Sequence, residues 1–232
     1  MIAIKRLAED TINLLFPLLC NACGTHLHYG EKEICSHCLY DLPYTDFHLY
    51  PDNPVAKQFW SRIPCNAATA MLYFKKGNKV QQLMHGLKYK GKTETGRLLG
   101  HLLGQKLLSN PSYADISAIV PVPLHAHKEK LRGYNQSLFI AKGIAEVFDV
   151  PVKNANLLRQ KATSSQTKKS RYTRYENMES VFEVRHPEEL KDGHILLVDD
   201  VITTGSTLEA CGQALLNIGV KKLSIATLAF AE

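Results

Sequence analysis

Unbroken hydrophobic runs alternate with helical hydrophobic spacing through most of this chain. Unbroken runs predict strands that are buried on both faces, and they span residues 67–74, 116–123, 194–199 and 222–230. Apolar residues three and four positions apart predict helices, and they span residues 80–87, 93–108, 134–148 and 206–218. Shorter strands are expected near residues 157 and 181. Alternating strands and helices predict an α/β fold with a parallel sheet, which we assign to a domain covering residues 66–232.

The first residues carry a separate pattern. Six residues fall on one face of a helix predicted over residues 3–15, and we treat residues 1–16 as an N-terminal helix. Glu9 and Asp10 argue against a signal sequence, and no apolar run reaches the roughly 18 residues that a membrane span requires. We therefore expect a cytoplasmic protein without a membrane span.

Two Cys-x-x-Cys pairs form a module predicted over residues 17–45. Its cysteines are Cys20, Cys23, Cys35 and Cys38. Two such turns can present four thiolates to one zinc ion, and a segment this short needs the metal to fold. A disulfide pair does not suit a cytoplasmic protein, and a redox role does not require two pairs. We predict a structural zinc ribbon, with no open position for zinc chemistry.

Two adjacent carboxylates, Asp199 and Asp200, end the predicted strand 194–199, and the turn 203–207 leads from them into a helix. Ligands of parallel sheets bind at the carboxyl ends of strands. The turn offers hydroxyls and the positive end of a helix to a phosphate, and Gly205 allows close approach of the backbone. Two carboxylates beside it can accept hydrogen bonds from vicinal hydroxyls, so a sugar phosphate satisfies both features.

The positive charge of the chain is concentrated in one stretch. The net charge is +6, and no acidic residue occurs between Asp149 and Glu176. Basic residues in between are Lys153, Arg159, Lys161, Lys168, Lys169, Arg171 and Arg174. Such a block favours a phosphorylated small molecule or a nucleic acid as the partner, although a solvated loop has the same composition.

The segment LLVDDVITTGST resembles the phosphoribosyl-pyrophosphate (PRPP) signature of type I phosphoribosyltransferases. The resemblance implies that Asp199 and Asp200 contact the ribose hydroxyls. It also implies that the 5′-phosphate is held by Thr203, Thr204, Gly205, Ser206 and Thr207. Mg²⁺ would bridge pyrophosphate and ribose oxygens, with few ligands from the protein.

A wider resemblance covers nearly the whole chain. The cysteine module, HGLKYKG (85–91), VPVPLH (120–125), RGYNQS (132–137) and the 166–177 stretch occur in the order found in the ComF competence family, which includes GntX-like proteins. The resemblance implies a zinc ribbon joined to a phosphoribosyltransferase domain and a role in DNA uptake. It places the pyrophosphate near Lys88, Lys90 and Arg132, and it makes the basic stretch with Arg171 and Arg174 the segment that closes over the site.

Three functions remain open from the sequence. The first is an accessory protein of DNA uptake that binds PRPP and contacts single-stranded DNA, with Tyr172 and Tyr175 available for stacking, and DNA-uptake proteins are further candidate partners. The second is an enzyme that transfers phosphoribose to a nucleobase or an amine. The third is a nucleoside triphosphatase, because GLKYKGKT (86–93) matches the P-loop pattern, but a P-loop follows a strand and this segment follows helical spacing.

Overall fold

A computed structural model describes residues 17–159 and 181–231. Its strands are β1 (Ala67–Phe74), β2 (Ala118–Pro121), β3 (Leu157–Arg159), β4 (Phe182–Val184), β5 (His194–Ile202) and β6 (Lys222–Ala231). Its α-helices are α1 (Ser36–Tyr40), α2 (Pro54–Lys57), α3 (Lys79–Tyr89), α4 (Thr93–Leu108), α5 (Ala126–Arg132), α6 (Gln136–Phe148) and α7 (Ser206–Asn217). No helix among these residues is long and apolar enough to cross a membrane.

Four strands form one parallel sheet in the order β1-β6-β5-β2. The predicted α/β fold with a parallel sheet is therefore confirmed. Pro121 at the end of β2 lies in register with Val198 of β5, so the carboxyl ends of these neighbouring strands meet at one edge. Strands β3 and β4 pair antiparallel in a separate two-stranded sheet.

The sheet is covered on both faces. One cluster of buried side chains joins the sheet to α3, α4 and α6, and it includes Leu83, Leu99 and Ile140. Helices α4 and α6 lie in close contact, because a Cβ added at Gly100 would lie 2.2 Å from the carbonyl oxygen of Ile140. A second cluster covers the opposite face and includes Phe59 and Leu208. Coverage of both faces explains why the strands carry unbroken apolar runs.

The cysteine module packs on the first of these faces. Its buried residues, which include Ile34 and Leu42, belong to the same cluster as Leu83 and Leu99 of the sheet-covering helices. The amide of Asn21 donates to Glu33 Oε2 at 2.8 Å and to Thr95 Oγ1 at 2.9 Å, and Thr95 lies in α4. These contacts connect the module directly to the α/β domain.

Several predicted boundaries need correction. Strand β5 continues past Asp199 to Ile202, because Val201 and Ile202 pair with Ala229 and Phe230 of β6. The helix predicted from residue 134 begins at Gln136, since the side chain of Asn135 caps it. The strand predicted over 116–123 is confined to Ala118–Pro121. Helices α1, α2 and α5 were not predicted, and the predicted helix 3–15 lies outside the described residues.

Candidate functional site

Asp199 and Asp200 lie near the carboxyl end of β5, after four consecutive apolar residues of the strand. The backbone N–H of Asp200 donates to Asp199 Oδ1 at 2.8 Å, and that of Val201 donates to Asp200 Oδ1 at 2.7 Å. Burial and then the negative charge of Asp200 raise the pKa of Asp199 to about 7, although part of the Asp199 surface stays accessible. Two adjacent carboxylates are therefore held in one strand at the cost of desolvation.

A lysine from helix α3 offsets the negative charge of one of these carboxylates. Lys88 Nζ lies 2.8 Å from Asp200 Oδ2, and the Asp200 side chain is only 7% exposed. Lys88 belongs to the last turn of α3, which continues to Tyr89, beyond the helical spacing that ends at residue 87 in the sequence. The structure thus brings Lys88 to the acid pair, and it does so across more than 100 residues of chain. An anionic ligand at this position would meet a cation that is already present.

The RGYNQS segment joins three parts of the site. Ser137 Oγ donates to Asp199 Oδ1 at 2.8 Å, and the Ser137 residue is fully buried. The Asn135 amide donates to the carbonyl of Val122, just after β2, at 3.0 Å. The Tyr134 hydroxyl donates to the carbonyl of Leu87 next to Lys88 at 2.5 Å. Sequence reasoning placed this segment in the family pattern but did not assign Ser137 a role in the site.

The turn after β5 presents polar groups to solvent. Thr203, Thr204, Ser206 and Thr207 are exposed, whereas Gly205 is buried. Gly205 has φ +73°, which favours glycine, and no side chain caps the helix that begins at Ser206. The first N–H groups of an α-helix have no partner within the helix. The turn therefore has the hydroxyls and backbone donors that a phosphate monoester requires.

A segment that the sequence left unassigned, residues 53–63, packs behind this turn. Gln58 Nε2 donates to the carbonyl of Thr203 at 2.8 Å, and Arg62 Nη1 donates to that of Thr204 at 3.0 Å. A Cβ at Gly205 would lie 3.3 Å from the Phe59 ring. The group that packs closely against this glycine is therefore a side chain of the protein. No local pattern could have indicated these contacts, because their partners are more than 140 residues apart.

Arg132 lies close to Tyr89, the residue after Lys88, and contacts neighbouring side chains. Its guanidinium donates to Gln136 Oε1 at 2.9 Å and lies 5.2 Å from the centre of the Tyr89 ring. Lys90 is exposed beyond the end of α3. The predicted contact of Lys90 and Arg132 with pyrophosphate stays a prediction.

The basic stretch is described only at its beginning. Lys153 Nζ forms an ion pair with Glu189 Oε2 at 2.6 Å, and the guanidinium of Arg159 lies 5.6 Å from the Phe182 ring centre. The remaining members of the stretch that were predicted to bind ligand lie outside the described residues. They are Arg171, Arg174, Tyr172 and Tyr175.

The P-loop alternative does not fit the structure around residues 86–93. Gly86 to Tyr89 form the last turn of helix α3, and the segment is not preceded by a strand. A P-loop connects a strand to a helix so that its backbone N–H groups surround the phosphates. The structure therefore supports the sequence argument against a nucleoside triphosphatase of this type.

The four cysteines of the N-terminal module converge on one point. The Sγ atoms of Cys20, Cys23, Cys35 and Cys38 all lie within 4.8 Å of one another. The backbone N–H groups of Ala22 and Cys35 donate to Cys20 Sγ at 3.4 and 3.3 Å, and that of Cys38 donates to Cys35 Sγ at 3.4 Å. Backbone donors aimed at sulfur stabilise thiolates, so this cluster fits a metal ion.

The Cys23 and Cys38 thiols of this cluster have pKa values shifted in opposite directions. The Thr25 hydroxyl and backbone lower the pKa of the exposed Cys23 thiol to about 6, whereas burial raises the pKa of Cys38 well above its usual range. One thiolate forms readily, but four adjacent thiolates repel one another unless a dication neutralises them. The cluster could therefore hold a metal ion, and its three buried members place that ion beside the protein core.

Comparisons with known proteins agree with this geometry. The phosphoribosyl transferase domain family matches residues 135–232, which include the Ser137 hydroxyl, the acid pair and the turn. The matched residues contain β5 and β6 of the parallel sheet, whereas β1, β2 and the cysteine cluster precede them in the chain.

Similar proteins extend the comparison beyond this domain. Competence protein F of Haemophilus influenzae is 36% identical over 115 residues, which make up 49% of this chain and 50% of that protein. The DNA utilization protein YhgH of Escherichia coli K12 is 27% identical over 211 residues, or 89% of this chain and 88% of that protein. Competence protein ComFC of Bacillus subtilis is 30% identical over 101 residues, covering 44% and 39% of the two chains. The chain is therefore similar to proteins named for competence and DNA utilization, and its residues 135–232 match the phosphoribosyl transferase domain family.

Proposed function

We propose that this protein binds PRPP together with Mg²⁺ and acts as an accessory in DNA uptake. The observation that carries the proposal is the convergence at one sheet edge of an acid pair, a lysine and an uncapped helix start. Lys88 and Ser137 contact Asp200 and Asp199, and the TTG turn follows three residues later. Few small molecules other than a phosphorylated sugar require a diol acceptor and a phosphate donor site side by side.

Each part of the site has a distinct role in this proposal. The carboxylates of Asp199 and Asp200 accept hydrogen bonds from the ribose hydroxyls, and the turn 203–207 binds the 5′-phosphate. Lys88, Lys90 and Arg132 face the pyrophosphate, whose charge they offset. Asp200 could ligate a hard cation once Lys88 turns away from it toward the pyrophosphate, because carboxylate oxygens suit Mg²⁺. Mg²⁺, when bound with PRPP, would neutralise negative charge on the pyrophosphate oxygens.

The zinc assignment is a proposal of the same kind. Four sulfur ligands within 4.8 Å of one another suit Zn²⁺, which prefers tetrahedral thiolate coordination. We propose a structural zinc at this cluster, in a module of residues 17–45, and a cytoplasmic location in which the thiols stay reduced. The sulfur atoms contribute to the same buried cluster as the helices of the α/β domain, so the metal supports the position of α3 and α4.

The DNA-uptake role draws its support from the relatives named for competence and DNA utilization. Single-stranded DNA would contact the basic stretch 153–174, and other DNA-uptake proteins are candidate partners. Measuring the affinity for single-stranded DNA against salt tests this role. A steep loss of affinity with salt that is unchanged in D199N/D200N supports a DNA surface separate from the sugar site. Affinity that does not depend on salt, or its absence in the wild type, contradicts DNA contact.

The alternative proposal is phosphoribosyl transfer to a nucleobase or an amine. The chemistry would be displacement at the anomeric carbon, in which the C–O bond to pyrophosphate breaks and a bond to the acceptor nitrogen forms. The protein would orient both partners and needs no nucleophile of its own. Release of pyrophosphate from PRPP in the presence of a defined acceptor, lost in D199N/D200N, favours this alternative. PRPP binding without release for a panel of bases and amines favours the accessory role.

A further inference from the structure

Residues 53–63 pack directly behind the TTG turn. The side chain of Asn53 caps α2 by accepting from the backbone N–H groups of Val55 and Ala56, and its amide donates to the carbonyl of Ala68 in β1 at 2.8 Å. Phe59 and Ile63 belong to the buried cluster that contains Leu208 of α7. The segment is therefore fixed to both the sheet and the helix that starts at the turn.

Two side chains four positions apart on this segment reach the turn. Gln58 and Arg62 donate to the carbonyls of Thr203 and Thr204, respectively. Residues 58–62 form turns in which Ser61 has φ +61°, and the two hydrogen bonds show directly that both side chains face the turn after β5. Two carbonyl oxygens of the turn thus accept hydrogen bonds from residues 53–63. Their partial negative charge is compensated there and does not repel an anion bound on the other side of the turn.

Arg62 also contacts an acid in the first turn of α7. Its Nη1 lies 3.4 Å from Glu209 Oε2, and Glu209 is the fourth residue of the helix. A carboxylate so near a helix start would repel a dianionic phosphate bound there. The guanidinium offsets part of this charge, and solvent screens the pair because the two side chains are 41% and 31% exposed.

We propose that Arg62 and Gln58 are positioning residues of the 5′-phosphate site. Gln58 and Arg62 orient the carbonyls of the turn, and Arg62 shields the bound phosphate from Glu209. The proposal rests on the proposed binding of a sugar phosphate at the turn. It assigns to this site a segment that lies outside the matched domain, residues 135–232, and that connects the cysteine module to the sheet.

Calorimetric titration of the full-length chain with ribose 5-phosphate, and separately with magnesium pyrophosphate, tests the proposal. R62A should weaken ribose 5-phosphate binding by about five- to tenfold and leave pyrophosphate binding unchanged, since only the former ligand carries the 5′-phosphate. R62K, which keeps the charge, should recover part of the loss. R62A/E209Q should also recover part of it, because the repelling charge is removed. Q58A should weaken ribose 5-phosphate binding by a few fold.

Arg97→Ala is a matched control, because Arg97 is 50% exposed and pairs with Glu94 and Glu146 on helices away from the turn. It should leave both affinities unchanged. Unchanged ribose 5-phosphate binding in R62A overturns the proposal, and so does an equal loss of pyrophosphate binding, which would indicate a general structural defect. If the wild type binds no ribose 5-phosphate, the proposed function itself fails. If the wild type and R62A bind it equally, only the role of Arg62 fails.

Discussion

The hydroxyl of Ser137 donates a 2.8 Å hydrogen bond to Oδ1 of Asp199, the same oxygen that accepts the backbone N–H of Asp200. Ser137 is the second residue of helix α6, and Asp199 lies in strand β5. This hydrogen bond from helix α6 therefore fixes the orientation of the Asp199 carboxylate in strand β5. It leaves Oδ2 of Asp199 to meet a ligand.

Replacement of Ser137 by alanine tests this positioning. S137A should weaken binding of Mg²⁺–PRPP by about tenfold, because Asp199 loses the donor that orients it and a hydrogen bond to a charged group is worth about 1.5–3 kcal/mol. The affinity for magnesium pyrophosphate, which lacks the ribose, should change little. Ser117→Ala removes a hydroxyl that donates to the carbonyl of His194 at the other end of β5 and is the control. Equal PRPP affinity in S137A and the wild type would contradict the assignment.

Lys88 should contribute to stability as well as to binding. K88M removes the cation that pairs with Asp200 at 2.8 Å and leaves a carboxylate that is 7% exposed without its partner. The free energy of unfolding, measured in urea, should fall by about 1–3 kcal/mol, less than for a fully buried pair because Lys88 is 25% exposed. K88M/D200N should recover most of this loss. The exposed Lys90 is the control, and K90M should leave stability unchanged. A neutral effect of K88M would show that the pair is not formed in solution.

The raised pKa of Asp199 predicts a specific dependence of stability on pH. Its pKa is about 7 in the folded protein against an ordinary value of 3.8. An acid of this kind stabilises the fold fully below the unfolded pKa, and the contribution disappears as the pH rises through the folded pKa. The wild type should therefore lose about 1–3 kcal/mol relative to D199N between about pH 4 and pH 7, with little change above that. Asparagine keeps the acceptor oxygen, so D199N preserves the bonds from Ser137 and Asp200.

Comparing the two proteins removes the contributions of other acids. Glu31 and Asp115 have pKa values lowered to about 2 by hydrogen bonds from backbone N–H groups and from Lys222, respectively, and they give stability the opposite dependence on pH. Both are present in D199N. Urea unfolding of the two proteins in parallel at several pH values checks the prediction. A difference that stays constant, or grows in favour of the wild type as the pH rises, would refute it.

Removal of the metal should destabilise the α/β domain as well as the cysteine module. We expect one zinc per chain by elemental analysis. Chelation or C23S should lower the melting temperature of the whole protein by about 5–10 °C, because the other three cysteines share a buried cluster with Leu83 and Leu99. Cys65 lies outside the cluster and is a free thiol. C65S should retain full zinc content. A metal-free wild type, or a melting temperature insensitive to chelation, would exclude a structural zinc.

Much of the fold was predictable because the sheet is buried on both faces. Unbroken runs such as 67–74 and 222–230 have one explanation, and the observed strands agree within a residue. Strand β5 was predicted to end at its carboxylates, since polar residues mark strand ends in most sequences. Its continuation depends on pairing of Val201 and Ile202 with Ala229 and Phe230 of β6, each 28 residues later, and this pairing leaves no local signal.

In the candidate site too, local features were predictable from the sequence and long-range contacts were not. Asp199, Asp200 and the TTG turn are consecutive, so their common location was evident from the sequence. The contacts of Lys88 and Ser137 with the acid pair depend on how α3 and α6 pack on the sheet, and the resemblance to a family indicated only that these segments matter. Gln58 and Arg62 carried no pattern, because their partners are carbonyl groups, which every residue has.

A crystal structure of the protein with PRPP and Mg²⁺ tests the central claim most directly. We predict density for the 5′-phosphate against the N–H groups of Ser206 and Thr207, ribose hydroxyls on the carboxylates of Asp199 and Asp200, and Lys88 turned toward the pyrophosphate. Full occupancy of PRPP elsewhere on the molecule, or a pocket that stays empty at saturating ligand with the Lys88–Asp200 pair intact, would contradict the account.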